Sequence, residues 1–298
     1  MKKTVFLIAL AAFGMGMNSC SNDNELPGSA SKNITVATSI NTMTRVATDN
    51  NGNQLFSEGD QISIYAWTGD AAVAPATSDR VVDNAINTLA SGAWVAATQM
   101  LWKNTTDAHY FVGVWPKNEA CVANLDAVTY TLDVDNQAKS DLLVATNKTG
   151  LKSQDNPVLL TFNHVMAKLN VNLQFRNQWG GTPTVESVTV KDAASNATVD
   201  YLTQTVTASA TVGDIILPVV KDNETYSSIV IPQTGVKSIV IRIGDKDYTY
   251  TNPNRIKLES GKITNVSLIV GRDKIDLGEV SINNWTVGST IEGGEAQE

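Results

Sequence analysis

Short stretches in which apolar and polar residues alternate, each closed by a turn, recur along most of the chain. Gln61-Ile62-Ser63-Ile64-Tyr65-Ala66-Trp67, Val185-Glu186-Ser187-Val188-Thr189-Val190 and Ser228-Ile229-Val230-Ile231 are clear examples. A period of two sets every second side chain on one face of an extended segment, and runs this short with turns this frequent suit stacked sheets. One hairpin is legible: Ser238 to Ile243, a bend at Gly244-Asp245-Lys246-Asp247, and a return strand from Tyr248 to Thr251. A second bend, Glu259-Ser260-Gly261-Lys262, leads into the alternating run Ile263 to Val270. Helical spacing occurs at Val81, Val82, Ala85, Ile86 and Leu89, with Ser78-Asp79 placed to cap its start. The pattern predicts an all-β chain of two β-sandwich domains in tandem, with at most one short helix. The polar stretch from Lys152 to Pro157 marks the boundary, giving domains at residues 46–155 and 156–298.

The N-terminus has a separate logic. Lys2 and Lys3 precede an apolar run from Val5 to Gly16 that is short for a bilayer span, and small residues then lead to Asn18-Ser19-Cys20. Followed by the polar Ser21-Asn22-Asp23-Asn24-Glu25, this resembles a bacterial lipoprotein signal: residues 1–19 are the signal peptide and Cys20 the lipidated first residue. Residues 20–45 then form a lipidated N-terminal segment. An anchor at Cys20 leaves Cys121 alone, so no disulfide framework is expected and Cys121, beside Ala120, Val122 and Ala123, reads as a small buried hydrophobe.

Charge and chemistry exclude several functions. The chain carries 22 basic and 30 acidic residues, a net charge of −8, which gives no electrostatic basis for gripping nucleic acid. His109 and His164 are far apart within alternating segments, so neither a histidine metal site nor a histidine-based triad is expected, and both read as structural. Asp133-Val134-Asp135-Asn136-Gln137 begins like a calcium loop but has Ala138 where glycine is needed and Val144 at the twelfth place. No phosphate loop and no Gly-x-Ser-x-Gly elbow occurs. The expectation is a non-enzyme with no catalytic residues, no metal and no cofactor.

A family resemblance rests on ordered motifs. Gly59-Asp60-Gln61-Ile62-Ser63-Ile64-Tyr65, Leu101-Trp102, and His109-Tyr110-Phe111-Val112-Gly113-Val114-Trp115-Pro116 are followed by Asp141-Leu142-Leu143-Val144-Ala145 and Leu160-Thr161-Phe162-Asn163-His164-Val165-Met166-Ala167-Lys168-Leu169. Ile231-Pro232, Ser260-Gly261-Lys262 and Ile282-Asn283-Asn284-Trp285 complete the series. Together these resemble fimbrillin-like proteins, the lipoprotein pilins of Gram-negative gut and oral anaerobes. The resemblance implies two sandwiches of Greek-key, transthyretin-like type and a fimbrial subunit, tip or accessory adhesin at the cell outer membrane. It also implies cleavage after an arginine, loss of an N-terminal strand, and filling of the resulting groove by a strand from another fimbrial subunit.

Residues for these parts are present. Ile34, Val36, Thr38 and Ile40 alternate in the candidate removable strand, and Arg45-Val46 is the candidate processing site, followed by the turn-rich Thr48 to Asn53. Beyond Trp285 the tail offers only Val287 and Ile291 before glycines and acids, which makes it a sparse plug for a groove. The alternative reading is a surface glycan-binding outer-membrane lipoprotein, needing a row of solvent-facing aromatics among Trp67, Trp94, Trp102, Trp115, Trp179 and Trp285. Of these, Trp67 and Trp115 end apolar strands and read as buried. An exported glycosidase would need two carboxylates about 5 to 10 Å apart, and the sequence singles out no such pair.

Overall fold

Alternation translates into strands almost without exception in the computed structural model, which describes residues 32–41, 56–234, 237–251 and 256–285. The first strands are β1 (Val36–Ile40), β2 (Gln61–Thr68), β3 (Arg80–Ala90), β4 (Ala93–Ala96), β5 (His109–Trp115), β6 (Val128–Thr131), β7 (Leu143–Leu151) and β8 (Val158–His164). There follow β9 (Ala167–Phe175), β10 (Ser187–Ala194), β11 (Asn196–Asp200), β12 (Thr205–Ala208), β13 (Val212–Ile216), β14 (Val219–Lys221) and β15 (Thr225–Val230). The last are β16 (Gln233–Thr234), β17 (Ser238–Ile243), β18 (Lys246–Thr251), β19 (Lys257–Leu258), β20 (Lys262–Val270) and β21 (Ile275–Asn284). The protein is all-β, and the one α-helix among the described residues is the single turn α1 (Gln137–Ser140), capped by the Asn136 side chain on the Lys139 N–H.

A seven-stranded sheet in the order β1-β8-β7-β5-β2-β3-β4 dominates the first part. Both of its faces are apolar in the middle. On β2, Ile62, Ile64 and Ala66 point to one core with Phe111, Leu143, Ala145, Leu160 and Phe162. Tyr65 and Trp67, with Val112, Val114 and Val144, point to a second and larger core that continues into the rest of the chain. That second core is built by a five-stranded sheet, β14-β15-β9-β20-β21, and a four-stranded sheet, β13-β10-β17-β18. Their inward residues include Leu169, Val171 and Val266 from the former and Val188, Val190, Ile239 and Ile241 from the latter, the arrangement of a sandwich.

Sheet membership does not follow chain order strictly. β8 pairs with β7 and β1, so the seven-stranded sheet draws on residues either side of position 155. β6 pairs with β11 across the chain, Thr129 opposite Thr198, in a three-stranded sheet with β12. All described residues fall within one compact unit, Ser31–Glu298.

Three local expectations change. The helix expected over Val81 to Leu89 is the bulged strand β3: its register against β2 shifts on both sides of Ala66, and Asn84 adopts φ 50°. A bulge inserts one extra residue, so apolar side chains on one face fall three or four positions apart and imitate a helical face. The hairpin expected around Gly244 is tighter than its composition suggests, because Ile243 pairs with Lys246 and only Gly244-Asp245 form the turn, Gly244 at φ 56°. Cys121 is exposed rather than buried; its thiol donates to Asp83 Oδ2 at 2.8 Å, and this bond to a carboxylate pushes its pKa up.

Gly261 fixes how β20 starts. Its φ is 65°, its N–H donates to Met166 O at 2.9 Å, and a Cβ there would stand 2.9 Å from His164 O. Gly261→Ala combines left-handed backbone strain with a backbone clash, so it should destabilise by about 1 to 3 kcal/mol, seen as a lowered urea midpoint with unchanged slope.

Candidate strand-exchange site

β1 lies at one edge of the seven-stranded sheet and runs parallel to β8, with Val36 opposite Val158 and Ile40 opposite Phe162. Its inward side chains are the ones singled out in the sequence. Ile34 is 3% exposed and Val36 7%, both within the core formed with Val158, Leu160 and Phe162, and Ile40 packs against the same core. Thr38 is the polar member of the inward row. Its Oγ1 accepts a hydrogen bond of 2.8 Å from Trp94 Nε1, and Trp94 belongs to β4, the opposite edge strand of the same sheet. The two edge strands therefore approach each other across the inner core.

The ends of this seam are closed by different means. Near the Ile40 end, the Phe56 ring stands edge-on to Trp94 and to Phe162, each at 5.2 Å. Near the Ile34 end, the segment Met100 to Trp102 forms the other wall: Ile34 N donates to Met100 O at 2.9 Å and Trp102 N to Lys32 O at 3.1 Å. Polar side chains mark the outward positions of β1. Asn156 bonds the backbone and hydroxyl of Thr35 at 2.8 and 2.9 Å, Ser39 meets Thr161 at 3.1 Å, and Asn41 donates to Asn163 at 3.0 Å. These contacts fix register, because a slip of one residue would turn the inward row outward.

Gly113 makes room in the floor of the trough. A Cβ there would lie 2.8 Å from the Phe162 ring and 3.1 Å from Leu160, so β5 and β8 approach as closely as they do only without a side chain.

His109 holds the Met100–Trp102 wall from behind. It is fully buried, accepts a hydrogen bond from Lys103 N at Nε2 (3.1 Å), and donates from Nδ1 to Asp107 O (3.0 Å). Trp102 stands edge-on to its ring at 4.9 Å. Burial lowers its pKa below the ordinary value of 6.5. His164 is also buried; its Nδ1 pairs with Asp141 at 2.7 Å and its ring stacks on Trp285 at 4.2 Å with 7° between planes. That stack attaches the residue following β21 to the end of β8.

The remaining predicted positions divide plainly. Cys20, Arg45 and Val46 lie outside the described residues, whereas Ile34, Val36, Thr38 and Ile40 come together in one inward row. Trp67, Trp102 and Trp285 are buried, and Trp94, Trp115 and Trp179 are partly buried against the cores, so tryptophans form no solvent-facing row. Trp179 spends its N–H on Val270 O at 2.9 Å. No group of metal-ligating side chains occurs among the described residues, and the calcium-like segment is used for capping, with Asp133 Oδ1 accepting from Asn136 N. Trp94 and Asn156 were not foreseen: each acts on β1 across long sequence separations, and no local pattern signals such a pairing.

The fimbrillin-like family model matches residues 44–285. The chain belongs to the fimbrillin-like family. Solved structures of similar fold come from Bacteroides species. A crystal structure described as a cell-adhesion candidate of Bacteroides ovatus superposes with a TM-score of 0.66 at 18% identity, covering 87% of this chain and 99% of that one. A second of the same description, from Bacteroides uniformis, gives 0.64 at 18% identity and covers 78% and 93%. A fimbrial protein of Bacteroides vulgatus gives 0.54 at 14% identity and covers 85% and 99%. At these identities the likeness is one of fold. No curated protein matches this sequence.

Two measurements follow from the site. Thr38→Val removes the acceptor but leaves the Trp94 N–H in place, so it should destabilise by about 1 kcal/mol although it adds apolar surface; the urea midpoint checks it. For His109, the unfolded chain binds a proton more readily than the folded one, so stability should be flat above about pH 7 and fall as pH drops below 6.5. Urea midpoints at pH 8 and pH 5 should show that loss, and His109→Gln should reduce it.

Proposed function

We propose that this fimbrillin-like chain is a fimbrial subunit or accessory adhesin that assembles by strand exchange once its N-terminal strand has been removed. The observation that carries the reading is the state of β1. It is an edge strand with an inward apolar row, held between β8 on one side and Trp94 and Met100–Trp102 on the other. Loss of β1 would expose Val158, Leu160 and Phe162 and leave the β8 edge unpaired, two costs that one incoming strand offsets together. Taking up such a strand is therefore favourable without any chemistry at the site.

Cleavage after Arg45 separates β1 from the chain that continues into β2, and leaves β1 held by side-chain packing and edge hydrogen bonds alone. The same reading makes Cys20 a lipid anchor that holds the precursor at the outer membrane until the cut is made, and makes the partners other fimbrial subunits. The tandem-sandwich division read from the sequence, residues 46–155 and 156–298, belongs to it as well.

The test is digestion of the purified chain with an arginine-specific protease, followed by intact mass and size-exclusion chromatography. Selective cutting after Arg45 with loss of the β1 fragment and formation of ladders is the expected result. A chain that is cut there and remains a stable monomer with β1 bound, or that resists cutting, would exclude this mode of assembly.

A further inference from the structure

β3 has a strand on both sides along only part of its length. β2 pairs with it from Arg80 to Thr88, but β4 pairs with it from Asn87 to Ala90 alone, and the last rung is Ala97 N to Ile86 O at 2.8 Å. Past that rung the two chains part, and no backbone hydrogen bond joins them among the described residues. The bulge at Asn84 accounts for the parting, because an extra residue bends its strand and disrupts the ladder. The gap is a cleft of about 390 Å³ between residues 81–86 and residues 97–101. A second cleft of about 700 Å³ continues it past Val81 and Leu101 toward Arg80 and Lys103.

Residues 98–102 are held on the far side of this cleft by the residues that lead into β1. Ile34 N donates to Met100 O at 2.9 Å, Trp102 N to Lys32 O at 3.1 Å, and Gln99 Nε2 to Asn33 Oδ1 at 2.7 Å. Asn33 and Leu101 therefore face each other between two antiparallel rungs, and at such a pair the peptide groups of both residues point away from the partner. Those of Leu101 point away from Asn33, to the side where the cleft and β3 lie. Side chains keep the phase of β4: Trp94, Ala96, Met100 and Trp102 pack in or on the inner core, while Val95 and Leu101 are exposed. Thr98, at the bend, is the exposed exception. Continuing β4 along β3, with the bulge residues Asp83 and Asn84 opposite Gln99, sets Val82 opposite Met100 and Val81 opposite Leu101. Val82 and Met100 already belong to the same core.

We infer that residues 98–102 are a strap that closes on the free edge of β3 once residues 32–34 have left, extending β4 to Leu101. Departure of β1 removes the bonds that hold the strap off and leaves two unpaired edges facing each other across the cleft. Pairing them satisfies both without a partner molecule. β8 then remains as the unpaired edge at the vacated place, so a strand that enters takes its backbone register from β8. Return of residues 32–41 to their own place requires the strap to open again. This rests on the strand-exchange reading above and adds to it a movement within the emptied chain.

The test is hydrogen–deuterium exchange of the full chain before and after treatment with an arginine-specific protease, read by mass spectrometry on peptides covering residues 80–86 and 97–103. No backbone bond joins β3 to β1, so loss of β1 by itself leaves exchange over residues 80–86 unchanged or faster. The expected result is the opposite: exchange there about tenfold slower after the β1 fragment has left. Leu101→Pro removes the N–H that faces β3 and none of the bonds to Lys32 and Ile34, so it should abolish the slowing. In the uncut chain, Ile34→Pro removes the donor to Met100 O, and exchange over residues 80–86 should slow there too. If residues 80–86 exchange as before or faster once the fragment has left, or slow equally in Leu101→Pro, the strap is wrong while strand exchange stands. If the cut chain keeps its β1 fragment, strand exchange fails, and the Ile34→Pro chain alone decides the strap.

Discussion

A sheet that is apolar on both faces has to cover both, and a sheet with two free edges has to do something with the unpaired N–H and C=O groups along them. The seven-stranded sheet meets these demands together by curling until its edge strands approach. One face then encloses its own core, the other joins the larger core shared with the second set of sheets, and the seam between edges is narrowed to the width that β1 fills. Everything distinctive about the molecule follows from that seam. β1 is short and joined to β8 by parallel pairing over only five residues, yet it carries side chains that the inner core needs. A piece that is necessary to the core but only peripherally attached is suited to replacement.

The supports around the seam show how such a strand is kept in one register. Apolar contacts alone would tolerate a slip of two residues, because valine, isoleucine and leucine substitute for one another in a trough with little loss. Directional bonds do not: Trp94 to Thr38, Asn156 to Thr35 and Asn163 to Asn41 each lose their partner when the strand slides. His109 supports the wall formed by Met100 to Trp102, and His164 ties the residue after β21 to the end of β8. Each histidine works by holding a neighbouring segment in place.

Local features are legible in the sequence where their causes are local. Alternation identified β2, β17 and β20, the glycine turns identified their ends, and the inward row Ile34, Val36, Thr38 and Ile40 was recognised as one face of a strand. Local reading failed at β3, where the bulge at Asn84 changed a period of two into an apparent helical spacing, and at Cys121, where apolar neighbours gave no sign that the thiol would turn outward to Asp83. The candidate site was half visible: the occupant could be seen, but the residues that hold it could not.

By itself the sequence determined that this chain forms strands, which side chains of each strand share a face, and which family it belongs to, because periodicity, turn chemistry and motif order are all written along the chain. Only the tertiary structure decided that β1 and β4 approach each other, that β8 belongs with the strands before it, and that a tryptophan N–H reads the second inward place of β1. The reason is physical: a strand's alternation states what one face wants to bury, but edge pairing depends on how far the whole sheet curls, and that curl is the sum of twists and bulges contributed by every strand between the two edges.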